Sequence, residues 1–168
     1  RRPAGREPAR LAADEYYTQA KASGSYKGCR AYTDYRELLE KEDVDGVVVS
    51  TPDHTHAVIT IAALNQGKHV YCEKPLTYSV LEARQVAEAA RKAGVATQLG
   101  NHAQASEEAR LTCEMIWDGA IGPVHEVEVW YGARFWHYPA FEGRPKDTPP
   151  VPEGLDWDLW LGPAPERP

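Results

Sequence analysis

The run Tyr71-Cys72-Glu73-Lys74-Pro75 brings together a carboxylate, an amine and a proline that restricts the backbone of the lysine before it. A lysine takes the proton of an alcohol as its carbonyl forms, provided desolvation and nearby positive charge bring it from about 10.4 toward roughly 7–8. Lys74 is on that ground the candidate general acid/base. A second polar run, Thr51-Pro52-Asp53-His54-Thr55-His56, follows the apolar stretch Gly46-Val47-Val48-Val49-Ser50. In an open parallel sheet, ligands bind in the crevice outside the carboxyl ends of the strands. Two polar runs placed there read as one rim of a nucleotide site. Thr51 and Pro52 suit a close approach of backbone to ligand. His56, Glu73 and Pro75 are further candidate contacts, and Asn101 stands where the next strand ends. Helix capping is the rival role for Asp53 to His56, and a strand-end ion pair the rival for Glu73. His54 and His56 lack a further ligand at metal spacing, so no metal is expected. A cis peptide is allowed before Pro75.

The elements that must hold these residues can be read from periodicity. Leu11, Ala12, Tyr16 and Ala20 predict a helix over about 9–23, with Gly24 as its stop. Arg30-Ala31-Tyr32 reads as a short strand, and Asp34 with Glu37 has capping-box spacing. Val47-Val48-Val49 is apolar without alternation, the pattern of a fully buried parallel strand. Ala57, Val58, Ile61, Ala62 and Leu64 give the next helix an apolar stripe that Gly67 ends. A strand follows through Val70-Tyr71-Cys72.

Ser79 and Glu82 form another capping box, before a helix of small residues (Ala83, Val86, Ala87, Ala90) suited to lying close to a sheet. Gly94 terminates it. Val95 to Leu99 is the next strand, and Ser106 caps a helix through Leu111, Met115 and Ile116 to Gly119. Strand–helix alternation implies right-handed βαβ units and a parallel sheet. From Val124 to Tyr131 the residues alternate between two faces, the signature of a first strand in a different, antiparallel sheet. Trp130, Tyr131, Phe135, Trp136, His137 and Tyr138 could stack on a sugar, though sheet packing or a subunit interface explains them more readily.

A chain of 168 residues can bury a core of its own. Its net charge of −6 argues against nucleic acid or an anionic membrane as partner, and no apolar run approaches the roughly 20 residues of a membrane span. Cys29, Cys72 and Cys113 show neither metal nor disulfide spacing. They read as reduced and mostly buried, which fits the cytoplasm; an export leader would place the protein in the periplasm instead. With basic Arg1 to Arg10 at one end and Leu159 to Pro168 at the other, the chain reads as an internal segment of a larger protein.

The succession of Thr51-Pro52-Asp53-His54-Thr55-His56, His69 to Pro75 and Leu99-Gly100-Asn101 resembles the glucose–fructose oxidoreductase/inositol dehydrogenase (Gfo/Idh/MocA) family. The closing Gly154-Leu155-Asp156-Trp157-Asp158-Leu159-Trp160-Leu161-Gly162-Pro163 is similar to one subgroup of it. The resemblance implies an α/β fold: a partial Rossmann domain over 1–121, then over 122–168 the start of an α+β domain with an antiparallel sheet used for substrate and for homo-oligomer contacts. It implies NAD or NADP as cofactor, and hydride transfer to or from a small sugar, polyol or related carbohydrate. By position Lys74 matches the family's catalytic lysine, while Glu73 and Thr51 to His56 match groups lining the nicotinamide end. The Gly-rich turn that binds pyrophosphate is absent from these residues, as is the acidic ribose reader. The Asp and His that the family supplies beside the lysine are expected beyond Pro168. Without a central first strand the edge at Val47 to Val49 would be unpaired, so the isolated chain is expected to be poorly soluble and without measurable dinucleotide affinity.

Two other classes use the same motif. An NAD-dependent glycoside hydrolase would release aglycone with no net NADH, whereas a dehydrogenase accumulates it. A non-catalytic sugar or nucleotide sensor would keep its function when Lys74 is replaced by alanine.

Overall fold

The computed structural model describes residues 3–130 and 146–166. In chain order it contains α1 (Pro3–Tyr16), α2 (Thr18–Ala22), α3 (Tyr35–Lys41), β1 (Gly46–Val49), α4 (His56–Asn65), β2 (His69–Glu73), α5 (Val80–Ala93), β3 (Thr97–Gly100), α6 (Glu107–Trp117) and α7 (Trp157–Leu161). Short 3-10 turns precede α4 and α6, at Asp53–Thr55 and His102–Ala105. The three strands form one parallel sheet in the order β1-β2-β3. Val49 stands opposite Cys72, and Cys72 opposite Leu99, so the carboxyl ends of all three strands share one edge.

The core lies on one face of this sheet. Val49, Val70 and Cys72 meet Ile59, Ala63 and Leu64 of α4 and Leu39 of α3. Helix α4 buries His56, Ala57, Ile59, Thr60, Ala63 and Leu64, while Val58 is exposed. That differs from the stripe read in the sequence: a helix apolar nearly all round is enclosed, here between the sheet and α5. Helix α5 rests its alanines on this layer rather than on the strands themselves. Strand β1 is parallel as expected but not fully buried. Val49 is enclosed, yet Val48, on the face opposite α4, is 69% exposed.

Local signals set most boundaries. Ser79 accepts from the Glu82 amide, and the Glu82 carboxylate accepts from the Ser79 amide, closing the capping box of α5. Gly94 ends that helix in the left-handed region at φ 65°. Asp34 caps α3 through the amide of Arg36, so the box expected with Glu37 does not form; instead Glu37 pairs with Lys41. The first helix starts earlier than its apolar spacing indicated and runs through Pro8, breaking at Tyr17 before α2. Arg30 to Tyr32 form no strand. The segment is held by side chains, with Arg30 and the Tyr32 hydroxyl both on Glu42, because no ladder partner lies alongside.

The chain divides into two compact units, one of Arg1–Gly100 with Pro150–Pro168 and one of Asn101–Pro149. The sequence placed this boundary at 121/122 and assigned everything after it to a second domain. The closing segment instead joins the sheet-bearing unit, because Leu161 buries itself there and the Trp160 carbonyl accepts from His54. Residues 124–130 are exposed and in no strand; alternation sorts side chains by face, but only a paired neighbour makes a ladder. Most of the aromatic cluster that follows, from Tyr131 to Tyr138, lies outside the described residues. Of the three cysteines only Cys72 is buried; Cys29, in a loop, and Cys113, on α6, are exposed. Burial pushes the Cys72 thiol up, so it behaves as a core residue. Among the described residues no helix is long and apolar enough to cross a membrane.

Candidate functional site

The carboxyl edge of the sheet carries two turns. After β1, Pro52 turns the chain into the 3-10 segment Asp53–Thr55, whose last amide returns to the Pro52 carbonyl at 2.8 Å. The Thr55 hydroxyl stands 2.8 Å from that of Thr51 and donates to the Pro52 carbonyl at 2.7 Å. After β2, Glu73-Lys74-Pro75 turns toward α5, and the Lys74–Pro75 peptide is cis.

His56 joins these turns. Its side chain is 1% exposed. Nδ1 lies 2.6 Å from the Pro75 carbonyl oxygen and Nε2 lies 2.8 Å from the Thr51 carbonyl oxygen. Both ring nitrogens are thus engaged by backbone, and the imidazole has no polar atom left for a ligand. The cofactor contact that the sequence placed on His56 is therefore not available to its side chain. The residue holds the rim together from behind.

Glu73 lies against its neighbour Gly100 on β3. A Cβ on Gly100 would come within 2.8 Å of the Glu73 carboxylate carbon and of Oε2, and within 2.9 Å of its Cα. Only a glycine lets this carboxylate lie across the end of β3. Lys74 is exposed and makes no ion pair or hydrogen bond among the described residues. Asn101 directly follows β3 but belongs to the second unit. There it opens the 3-10 turn of His102–Ala105, its carbonyl accepting from the Gln104 amide at 3.0 Å.

A cavity of about 490 Å³ opens beside the first turn, within the size range of small-molecule sites. Thr51, Pro52 and Thr55 form one wall, Tyr35 and Arg36 another, and Leu159 and Trp160 of α7 a third. Glu73 and Lys74 are not among its lining residues, so the cavity adjoins the β1 turn and not the lysine. Trp160 is steadied by an edge-on contact with His54 and a stacked one with Trp157, at 5.2 and 5.0 Å between ring centroids. Gly162 makes the close packing of this segment possible: a Cβ there would meet the Thr55 methyl at 3.0 Å, and its φ is 53°. The sequence reading passed over Gly100, Gly162 and the His54–Trp160 pair. A glycine ending a strand opposite a carboxylate was the only available sign of the first.

The donor set fits one end of a dinucleotide. Two hydroxyls, exposed turn backbone and an exposed amine stand at the strand ends, where such ligands bind. The glycine-rich turn that would cradle pyrophosphate is not among these residues. Among the described residues no group of three or more His, Cys, Asp or Glu could hold a metal ion.

Residues 7–101 match the model of the oxidoreductase family GFO_IDH_MocA, described as having an NAD-binding Rossmann fold. The chain is 33% identical over 130 residues to a 1,5-anhydro-D-fructose reductase of Ensifer adhaerens, covering 77% of this chain and 38% of the reductase. It is 32% identical over 100 residues to a myo-inositol 2-dehydrogenase of Thermotoga maritima, covering 60% of this chain and 30% of that enzyme. Among solved structures, an inositol dehydrogenase homolog from Azotobacter vinelandii, complexed with NADH and myo-inositol, matches with a TM-score of 0.52 and 36% identity. That match covers 55% of this chain and 26% of the homolog. The chain thus spans roughly a third of the length of these two curated relatives.

Proposed function

Because the chain belongs to the Gfo/Idh/MocA family of oxidoreductases with an NAD-binding Rossmann fold, we propose that the whole protein transfers a hydride between NAD or NADP and a carbohydrate or polyol. Lys74 is the group that handles the substrate's hydroxyl proton. The observation that carries this reading is the fastening of the Thr51 turn to the Pro75 turn through His56. It sets the hydroxyl-bearing turn after β1 and the lysine-bearing turn after β2 at one edge of the sheet. Bound nicotinamide supplies the hydride acceptor or donor. Thr51, Pro52 and Pro75 present backbone and hydroxyl to it, and Glu73, lying over Gly100, gives the rim a carboxylate. Lys74, exposed and without an ion pair or hydrogen bond among the described residues, reaches toward the substrate oxygen and takes its proton as the carbonyl forms, or returns it in the reverse direction.

The substrate class follows the relatives named above, which are a polyol dehydrogenase and a sugar-derivative reductase. A homo-oligomer is part of the same proposal. The test is Lys74→Ala in the whole protein with a panel of sugars and polyols. The expected result is a fall in turnover of roughly 10²–10⁴-fold, with coenzyme affinity by calorimetry changed less than about threefold, the size of a single weak contact. Undiminished turnover would remove Lys74 from the chemistry. Release of aglycone from glycosides without net NADH would change the reaction class.

A further inference from the structure

The cavity beside the β1 turn takes its walls from distant stretches of chain. Thr51, Pro52 and Thr55 belong to the turn, while Leu159 and Trp160 come from the closing segment, which lies outside the residues 7–101 that match the family model. That segment is fastened to a turn 106 positions earlier in the chain, where His54 Nε2 donates to the Trp160 carbonyl at 2.6 Å. Leu161 is buried, and Gly162 packs where a Cβ would meet the Thr55 methyl at 3.0 Å. Trp160 itself stays 40% exposed, although Trp157 stacks on it. An indole held in place through its own backbone and left open beside a cavity offers a surface for another flat ring. We propose that the closing segment completes a pocket for the half of the coenzyme away from the reacting ring, with Trp160 as its aromatic wall.

Hydride transfer needs the nicotinamide, the substrate oxygen and Lys74 at one place, and neither Glu73 nor Lys74 lines the cavity. The cavity is therefore not where the reaction occurs. A dinucleotide carries a second base at its other end. The strand order β1-β2-β3 sets the β1 turn beside the lysine-bearing turn along the carboxyl edge, so a coenzyme reacting at Lys74 has its remaining half within reach of Thr51. The lining suits a flat base with polar edges: Tyr35 and Trp160 are aromatic, Pro52 and Leu159 are apolar, and Arg36 brings a guanidinium. Trp160 touches the ligand in this arrangement, and His54 acts as a positioning residue that holds Trp160 by its carbonyl. Trp160 has this role only if the coenzyme binds as proposed above.

The test uses the whole protein and follows, by calorimetry, binding of the coenzyme and of ADP-ribose (or its 2′-phosphate where the coenzyme is NADP), which lacks the nicotinamide. Trp160→Leu should weaken both ligands by the same factor, about tenfold, and Trp160→Phe should recover most of the loss. The coenzyme KM should rise in step while kcat moves by less than about threefold, as expected when uniform binding is removed. His54→Phe keeps a ring beside Trp160 but has no N–H for its carbonyl. It should weaken both ligands about threefold or more, and His54→Gln, which supplies an amide N–H, should restore them. Unchanged affinities in Trp160→Leu would overturn the pocket and leave the coenzyme reading standing. A loss for the coenzyme but not for ADP-ribose would overturn it as well, by moving Trp160 to the reacting ring. Wild-type protein that binds neither ligand would sink the coenzyme reading and this pocket with it. If Trp160→Leu does not fold, wild-type protein labelled with 5-fluorotryptophan decides: the Trp160 fluorine signal, assigned through Trp160→Phe, should shift when ADP-ribose is added, and an unmoved signal overturns the assignment.

Discussion

Asp14 and His56 each gather backbone that neither helix nor ladder holds, and they do so in opposite surroundings. Asp14, on α1, accepts from the Tyr26 hydroxyl at 2.9 Å, the Cys29 amide at 3.1 Å and the Arg10 guanidinium at 2.9 Å. Lys21 stands 3.6 Å away. The hub ties the loop after α2 back to α1, at a surface where water competes for every partner. His56 makes only two bonds, but both lie where no water reaches. A partner lost at the hub is replaced by solvent, whereas one lost at the junction leaves a buried carbonyl unpaired. The comparison teaches that the number of bonds is a poor measure of what a polar side chain holds.

The contrast can be broken from either side. The largest expected effect comes from hollowing out the layer that supports the junction. Leu64→Ala, at a site 1% exposed, should cost about 2–5 kcal/mol in urea unfolding; a loss below 1 kcal/mol would mean α4 is not the element that holds the rim. Next is Gly100→Ala, which forces the Glu73 carboxylate or its strand to shift. It should cost about 1–3 kcal/mol by overpacking, and Glu73→Ala on the same background should recover most of it. Ser79→Ala, opening the capping box of α5 well away from the rim, should cost about 1 kcal/mol and leave coenzyme affinity as it was.

The smallest effect belongs to Asp14→Asn. The Tyr26 hydroxyl, then the Cys29 amide, hold the Asp14 carboxyl below the usual carboxylate range, against the opposing pull of desolvation. Desolvation, with Asp14 second, pushes the Tyr26 phenol up to about 12. A lowered carboxyl contributes stability that is complete above its unfolded value and is lost as pH falls through the folded one. A raised phenol contributes stability that is complete below about 10 and is lost as pH rises through the folded value. The hub should therefore be insensitive to pH across the neutral range and weaken only at the two extremes. In Asp14→Asn the Tyr26 titration, followed as tyrosinate absorbance, should move down toward the ordinary phenol value. Salt should weaken the wild-type hub more than the His56 junction.

Much of this could be read before any coordinates. The capping box at Ser79, the glycine stops at 67 and 94 and the apolar runs of β1 and β2 are local devices, each decided within a turn or two of chain. The motifs at Thr51 to His56 and Glu73 to Pro75 were equally plain, and so was the family they indicate. What failed had a common cause. Arg30 to Tyr32 and Val124 to Trp130 have strand-like composition, but a strand is a relation between two segments, and composition names only one. Val48 reads as buried for the same reason: its residue type does not say which face of the sheet is covered.

The roles of individual side chains divide along the same line. From the amino acids alone came the rim itself: which residues stand at the strand ends, which are hydroxyls, amine and carboxylate, and where the parallel order brings them, because spacing along a strand is fixed by backbone geometry. Only folding decided that both ring nitrogens of His56 meet backbone carbonyls, that Glu73 rests over Gly100, and that Trp160 returns to His54. These are meetings between distant segments in three dimensions. Each depends on burial and on the exact closeness of approach, and neither quantity is carried by the order of residues.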